Sequence, residues 1–211
     1  MLHIYQVQSF PYQVHANRKV EIMNKIKLHL GCGNIHIDGF VNIDVNYLPN
    51  VDVVDNVRHL RKFEENSVDL IYGSNVLEHL GRWEYIPALK RWYDLLKKGG
   101  ILRISVPDFE ALCEYYIKTK DLKTMYCALY GGQDNPGNYH YWCWDFETLK
   151  KDLKSVGFSN IRRYDRNNTE HAHVRDWSLN YMPYRDKNNN ILPDKEWFKG
   201  KFIALNIEGQ K

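Results

Sequence analysis

The stretch Ile26-Lys-Leu-His-Leu-Gly-Cys-Gly-Asn34 decides the fold. Ile26, Leu28 and Leu30 alternate with Lys27 and His29, the period of a strand, and the run stops in a Gly-x-Gly turn. Gly31 and Gly33 lack the Cβ atoms that would keep a bound molecule off the backbone, so the stretch reads as a buried strand feeding a ligand loop. A second strand, Phe40 to Val45, carries Asp44 near its end. At the carboxyl end of the next strand of an α/β sheet, a carboxylate is placed to accept hydrogen bonds from two vicinal ribose hydroxyls. These features point to a nucleoside-type cofactor. A lone Gly-x-Gly marks only a tight connection, but the strand-then-turn pattern recurs at Val51 to Val57, Val68 to Ser74 and Ile101 to Asp108. The expectation is a doubly wound α/β fold with a mostly parallel seven-stranded sheet, the site along its strand ends, and a last strand, Phe202 to Ile207, pairing back antiparallel.

Composition sets the outer limits. The 211 residues, 44% hydrophobic and 26% charged, fit one domain with a sizeable core. The net charge is +3, and the 29 basic residues are scattered among 26 acidic ones, which argues against a nucleic-acid groove. Cys32, Cys113, Cys127 and Cys143 form no C-x-x-C pair, so spacing suggests neither a zinc site nor a redox motif, and a reducing, cytoplasmic setting fits. Met1 to Pro11 lacks the pattern of a signal peptide, and no apolar run approaches the ~18 residues of a membrane span. A soluble protein is expected.

Residues 1–25 read as an amino-terminal arm, with Leu2, Ile4 and Val7 suited to an added strand and Arg18 to Lys25 to a short helix. Little room for a helix exists between Gly33 and Asp44, so the first crossover looks truncated. Asp55 ends the third strand, either as an acceptor for an adenine amino group or as a turn aspartate. Trp83 to Lys98 has a helical stripe of Ile86, Leu89, Trp92, Leu95 and Leu96, and stops at Gly99-Gly100. Phe109 to Leu129 reads as a second helix, Phe146 to Val156 as a third closed by Gly157, and Ile161 to Tyr164 as a strand. Segments 108–145 and 165–200 read as substrate-side insertions. The first contains Gly131 to Asp145, loop-forming residues with four aromatics around His140. The second is polar, carries His171, His173, Asp176 and Trp177, and turns at Lys187 to Asn190.

This order of motifs resembles class I S-adenosylmethionine-dependent methyltransferases, which have a Rossmann-like fold. Leu28-His-Leu-Gly-Cys-Gly-Asn34 is similar to their first motif, Asn42-Ile-Asp44 to the ribose motif, Asp69 to His79 to the motif after the fourth strand, and Leu96-Lys-Lys-Gly-Gly100 to the turn before the fifth. The resemblance spans roughly Leu28 to Phe158. It implies S-adenosylmethionine as cofactor, with Gly31, Cys32, Gly33, Asp44, Asp55, Asn56, Ser74 and Asn75 on the cofactor side. Ile104-Ser-Val-Pro-Asp108 and the Gly-Gly-Gln133 and His140 block resemble small methyltransferases of glycan and surface-polysaccharide synthesis, which implies O-methylation of a sugar hydroxyl. Three positions depart from the family pattern: His29 stands where an acidic residue is common, Lys98 replaces a common proline, and the segment after Gly33 is short.

An activated methyl needs an acceptor oxygen held in line and a base for its proton, and alignment is the larger share, ~7 to 11 kcal/mol of barrier. His140 is the first choice for base, because its intrinsic pKa is near neutral. Tyr139, Tyr141, Trp142 and Trp144 flank it and are suited to stacking on a sugar ring, with Asp176 and Trp177 as further substrate-side residues. Asp108 is a second candidate, as base, as a group orienting His140, as a holder of a divalent ion, or as the cap of the helix that follows it. His79 is the third. The His-x-His spacing of His171 and His173 near Asp176 does not by itself indicate a metal. Other readings stay open: a small-molecule or protein methyltransferase, or a binding module on the same fold without turnover. A nicotinamide-dependent oxidoreductase is disfavoured, since His36 stands where a third glycine belongs and Asp44 comes sooner than ~20 residues on.

Overall fold

The computed structural model describes residues 25–184, 190 and 199–211. The arm over residues 1–24 and the greater part of the turn at Lys187 to Asn190 lie outside the described residues. In chain order the elements are β1 (Lys27–Leu30), β2 (Val41–Asp44), β3 (Val53–Val54), β4 (Val68–Ser74), α1 (Tyr85–Leu95), β5 (Leu96–Pro107), α2 (Phe109–Thr119), α3 (Tyr126–Tyr130), α4 (Phe146–Val156), β6 (Ser159–Arg163), β7 (Tyr181–Met182), β8 (Lys201–Phe202) and β9 (Ala204–Gln210). Seven strands form one sheet in the order β3-β2-β1-β4-β5-β9-β6, and β7 pairs with β8 separately. β9 runs antiparallel to both its neighbours, while the other pairs of the large sheet are parallel. The expected Rossmann-like single domain is therefore present.

Strand alternation sends successive side chains to opposite faces. Leu28, Leu30, Ile43 and Ile71 face a core completed by Leu89, Trp92 and Leu95 of α1 and Leu149 and Leu153 of α4. Leu70 and Tyr72 face the other way, against Ile37, Phe40 and Val174. Part of the 165–200 segment thus packs on the sheet. Its anchor is Arg166, a buried guanidinium that donates to Ser178 Oγ (2.7 Å) and the Ala172 carbonyl (2.6 Å).

β1 lies between β2 and β4, so the chain departs to opposite sides from it and a crevice opens at the carboxyl ends of β1 and β4. The first crossover contains no helix. Residues 31–40 run in turns, fastened where Asn42 Oδ1 accepts the Ile37 N–H (2.9 Å).

Strand ends shift by a few residues from expectation, as where the third strand shortens to Val53–Val54, and three of the differing boundaries have a visible cause. α1 ends at Leu95, because Leu96 leaves the helical conformation and pairs with Val68 as the start of β5. The helix expected over Phe109 to Leu129 breaks at Lys120, which is left-handed (φ 56°); Thr119 and Asp121 side chains then redirect the backbone through a 3-10 turn into α3. The last strand of the sheet starts at Ala204, since Lys201–Phe202 pairs with β7 instead.

Candidate active site

The glycine loop leaves β1 in the conformation its residues permit. Gly31 has φ +60°, and a Cβ there would sit 2.6 Å from Val76 Cγ2; Gly33 has φ +52° with open space around it. The loop is pinned to β2: the Cys32 N–H donates to the Ile43 carbonyl (3.0 Å) and the Gly33 N–H to Asp44 Oδ2 (2.9 Å). Asp44 Oδ1 accepts from the Asn46 N–H (2.8 Å) and side-chain amide (3.1 Å). A carboxylate offers about four acceptor positions, so Asp44 organises the loop and keeps capacity for a ligand hydroxyl. Beneath the loop, buried His29 donates from Nδ1 to Asn42 Oδ1 (3.0 Å) and stacks on Tyr72. Burial holds its pKa below the usual histidine value. At the end of β4, Asn75 is left-handed (φ 51°), which asparagine tolerates, and its N–H donates to the Ser105 carbonyl.

Two cavities meet at these strand ends. The larger, about 480 Å³, is lined by Cys32, Gly33, Ser74, His140, Asp176 and Trp177 among others. The second, about 380 Å³, is lined by Asp44, Asn46, Asn56, Val57, Arg58 and Tyr141 among others. Gly31, Asn75, His79 and Asn138 border both. The shape is one crevice with a waist.

His79 stands at the waist, with His140 on the larger cavity and buried Glu78 clustered against it. Glu78 and His79 belong to the 3-10 turn Leu77–His79, and the loop carrying His140 docks on it through the Tyr141 N–H to the Glu78 carbonyl (2.8 Å). His79 Nδ1 donates to the Tyr139 carbonyl (3.0 Å), and His140 Nδ1 to the Ala128 carbonyl (2.9 Å). A carbonyl only accepts, so each Nδ1 carries the proton and each Nε2 keeps a lone pair while the ring is neutral. The rings meet edge to face, 4.8 Å between centroids. Burial, with His140 alongside, pushes His79 down to about 4, and burial lowers His140. Glu78 is fully buried, neither carboxylate oxygen has a hydrogen-bond partner, and desolvation pushes its pKa up to about 8.

Gly31, Cys32, Gly33, Asp44, Asn56, Ser74, Asn75, His79, His140, Tyr141, Asp176 and Trp177 all border the crevice. Tyr139, Tyr141 and Trp177 are exposed. Other candidates lie elsewhere. Asp108 lines neither cavity; its N–H is taken by the Ile203 carbonyl and its Oδ2 accepts from Arg163 of β6 (2.9 Å), so a guanidinium draws it away from the crevice. Asp55 accepts from the Asn56 N–H (2.7 Å) and the Lys62 N–H (3.3 Å), which makes it a turn aspartate. Trp144 is 1% exposed, with its indole N–H on Asp152, and Trp142 packs against the core and Tyr85, so neither presents a stacking face as expected. Asp176 borders the larger cavity but spends its carboxylate on the Tyr72 hydroxyl and the Ser178 N–H. His171 is fully buried against Tyr72, with both ring nitrogens unpartnered. Sequence reasoning does not single out Glu78, which joins the histidine pair, or Asn138, which borders both cavities. For Glu78 the signal was an acid inside the apolar run Val76-Leu-Glu-His-Leu80.

Among the described residues, no helix is long and apolar enough to cross a membrane. No protein of curated function matches the sequence. Among solved structures, a SAM-dependent methyltransferase from Archaeoglobus fulgidus is similar with TM-score 0.52 at 16% identity, over 89% of this chain and 86% of that one. The 1,6-didemethyltoxoflavin-N1-methyltransferase of Burkholderia thailandensis, solved with 1,6-didemethyltoxoflavin and S-adenosylhomocysteine, gives TM-score 0.49 at 14% identity, over 88% and 70%. Residues 38–104 match the family model described as a methyltransferase domain. That match covers less than half of the chain, and the likeness to the solved methyltransferase from Archaeoglobus fulgidus shows the fold: the described residues form a Rossmann-like sheet of the methyltransferase type, with the glycine cradle, the acid after β2 and the crevice gathered at its strand switch.

Proposed function

We propose that the protein uses S-adenosylmethionine to O-methylate a hydroxyl of a sugar, in a glycan or sugar precursor, within a reducing compartment where its four cysteines stay free. In this reading the second cavity takes the nucleoside, with Asp44 accepting from the ribose and Asn56 beside the base. Gly31 to Gly33 and Asn75 hold the methionine end, and the acceptor enters the larger cavity from the side of segments 108–145 and 165–200. The carrying observation is His140, whose Nδ1 is committed to a backbone carbonyl, leaving Nε2 to receive a proton beside the waist of the crevice. Exposed Tyr139, Tyr141 and Trp177 offer flat apolar faces for a sugar ring at its mouth.

When bound, the cofactor supplies a methyl on a sulfonium whose departure leaves a neutral thioether. His140 takes the hydroxyl proton as the oxygen forms its bond to the methyl carbon, and Asn138, which borders both cavities, helps to place the acceptor. A positioned base contributes ~10² to 10⁴ in rate. The test is transfer of labelled methyl from S-adenosylmethionine to a panel of saccharides, for the native chain and His140→Ala. Turnover on a saccharide, falling ~10²-fold or more in the variant with S-adenosylhomocysteine affinity retained, is the expected result. Transfer to amines or phenols alone would refute the sugar reading, and a fully active variant would remove His140 as base.

A further inference from the structure

We infer that Glu78, His79 and His140 form a binding site for a divalent first-row transition ion that grips the acceptor through two neighbouring oxygens. One ligand atom from each of the three residues lies within 4.8 Å of those of the other two. The inference deepens the reading of the larger cavity as the acceptor site and rests on it for the identity of the acceptor, though the ion site itself does not.

Three observations carry it. Glu78 is fully buried with both oxygens unpartnered, and a buried carboxylate without a partner or a counter-charge is costly. Both histidines donate Nδ1–H to backbone carbonyls, the arrangement that fixes a metal-binding imidazole with its Nε2 lone pair free. The backbone bond from Tyr141 to Glu78 ties the two halves of the cluster together, so the ligands converge from two chain segments already docked on each other. Among the described residues this is the group of histidine, cysteine and acidic side chains with metal-ligand proximity.

Two imidazoles and one carboxylate suit Mn²⁺, Fe²⁺ or Zn²⁺ better than Ca²⁺, which prefers all-oxygen shells. With metal–ligand distances of about 2.0 to 2.2 Å, neighbouring ligand atoms stand roughly 3 to 3.5 Å apart, so the cluster closes slightly by side-chain rotation. Three protein ligands leave open positions on a six-coordinate ion. His79 and His140 border the larger cavity, so those positions face the acceptor and match the two oxygens of a vicinal diol. A coordinated hydroxyl ionises more readily; its proton is released to water, and His140 then serves as ligand in place of base.

The experiment uses the full chain, stripped with chelator and dialysed, with Mn²⁺ and Zn²⁺ as probes in calorimetry and Mn²⁺ in pulsed electron paramagnetic resonance. One ion per chain is expected, with ¹⁴N modulation from coordinated imidazole, and ten-fold or greater weakening in Glu78→Gln and in His140→Ala. The resonance measurement needs no variant, so a misfolded substitution leaves the question decided. No saturable binding, no imidazole nitrogen on bound Mn²⁺, or unchanged affinity in both variants would overturn the site. Sugar methylation that persists in the ion-free protein would overturn the ion's role and leave His140 as base. A bound, histidine-coordinated ion without transfer to any sugar would uphold the site and reject the sugar acceptor.

Discussion

Asp44 does two jobs with one carboxylate: it receives the Gly33 N–H and leaves acceptor capacity toward the second cavity. Asp44→Ala should weaken S-adenosylhomocysteine binding by about 1 to 3 kcal/mol, roughly 5- to 150-fold in Kd by calorimetry, and an unchanged Kd would remove the ribose assignment. The two glycines should separate in the same way. Gly31→Ala meets Val76 at 2.6 Å as well as an unfavourable φ, whereas Gly33→Ala meets only the φ. Denaturant titration should show a loss of about 2 kcal/mol or more for the first and about 1 kcal/mol for the second; equal losses would contradict the close contact.

His171 gives the acid limb of stability a specific source. Burial, with Arg103 nearby, pushes it down to about 4. On acidification the unfolded chain takes up this proton near pH 6.5 while the folded chain stays neutral, so the stabilisation is complete above about pH 6.5 and is lost as the pH falls toward 4. Between pH 7 and 5 the share of His171 should be about 1 to 2 kcal/mol, read as the difference in pH-dependent loss between the native chain and His171→Phe by urea titration, since His79, which adds a loss of the same sign, and Glu78, which opposes it, act alike in both. Parallel pH profiles would assign the acid limb to other groups.

Among the elements, α4 shows how a cap holds the loop that carries His140. Asp145 accepts the Thr148 N–H (2.7 Å) at the start of the helix, next to Trp144, which bridges to Asp108 and closes the segment carrying His140. Asp145→Ala should cost about 1 kcal/mol in thermal or urea unfolding, and no loss would mean the cap is dispensable. Element types were legible wherever a period and a stop signal agreed: Leu28 and Leu30 before Gly31, or Leu149 and Leu153 before Gly157. Boundaries were not legible where tertiary pairing overrode local preference. Leu96 continues the apolar stripe of α1, yet it joins β5 because Val68 offers a strand partner. The break at Lys120 depends on Thr119 and Asp121 side chains taking over backbone groups, a competition that helical periodicity does not register.

At the scale of the molecule, motif order gave the sheet and its crevice, because strand ends at a switch in strand order converge whatever the loops do. The acceptor side was less legible. Asp108 sits in a motif beside the crevice, but its direction is set by Arg163, 55 residues away in sequence. Trp144 and Tyr141, three residues apart, end in core and at the crevice rim, a split that the aromatic spacing alone does not reveal. Glu78 gained its significance only when His140 arrived from another segment.

We propose that a nucleoside-sulfonium cofactor lies across the waist between the two cavities. Calorimetric titration of the full chain with S-adenosylhomocysteine, with NAD as the control ligand, tests it most directly. Micromolar, one-to-one binding of S-adenosylhomocysteine alone is the expected result; no binding of it, or equal binding of NAD, would contradict the claim.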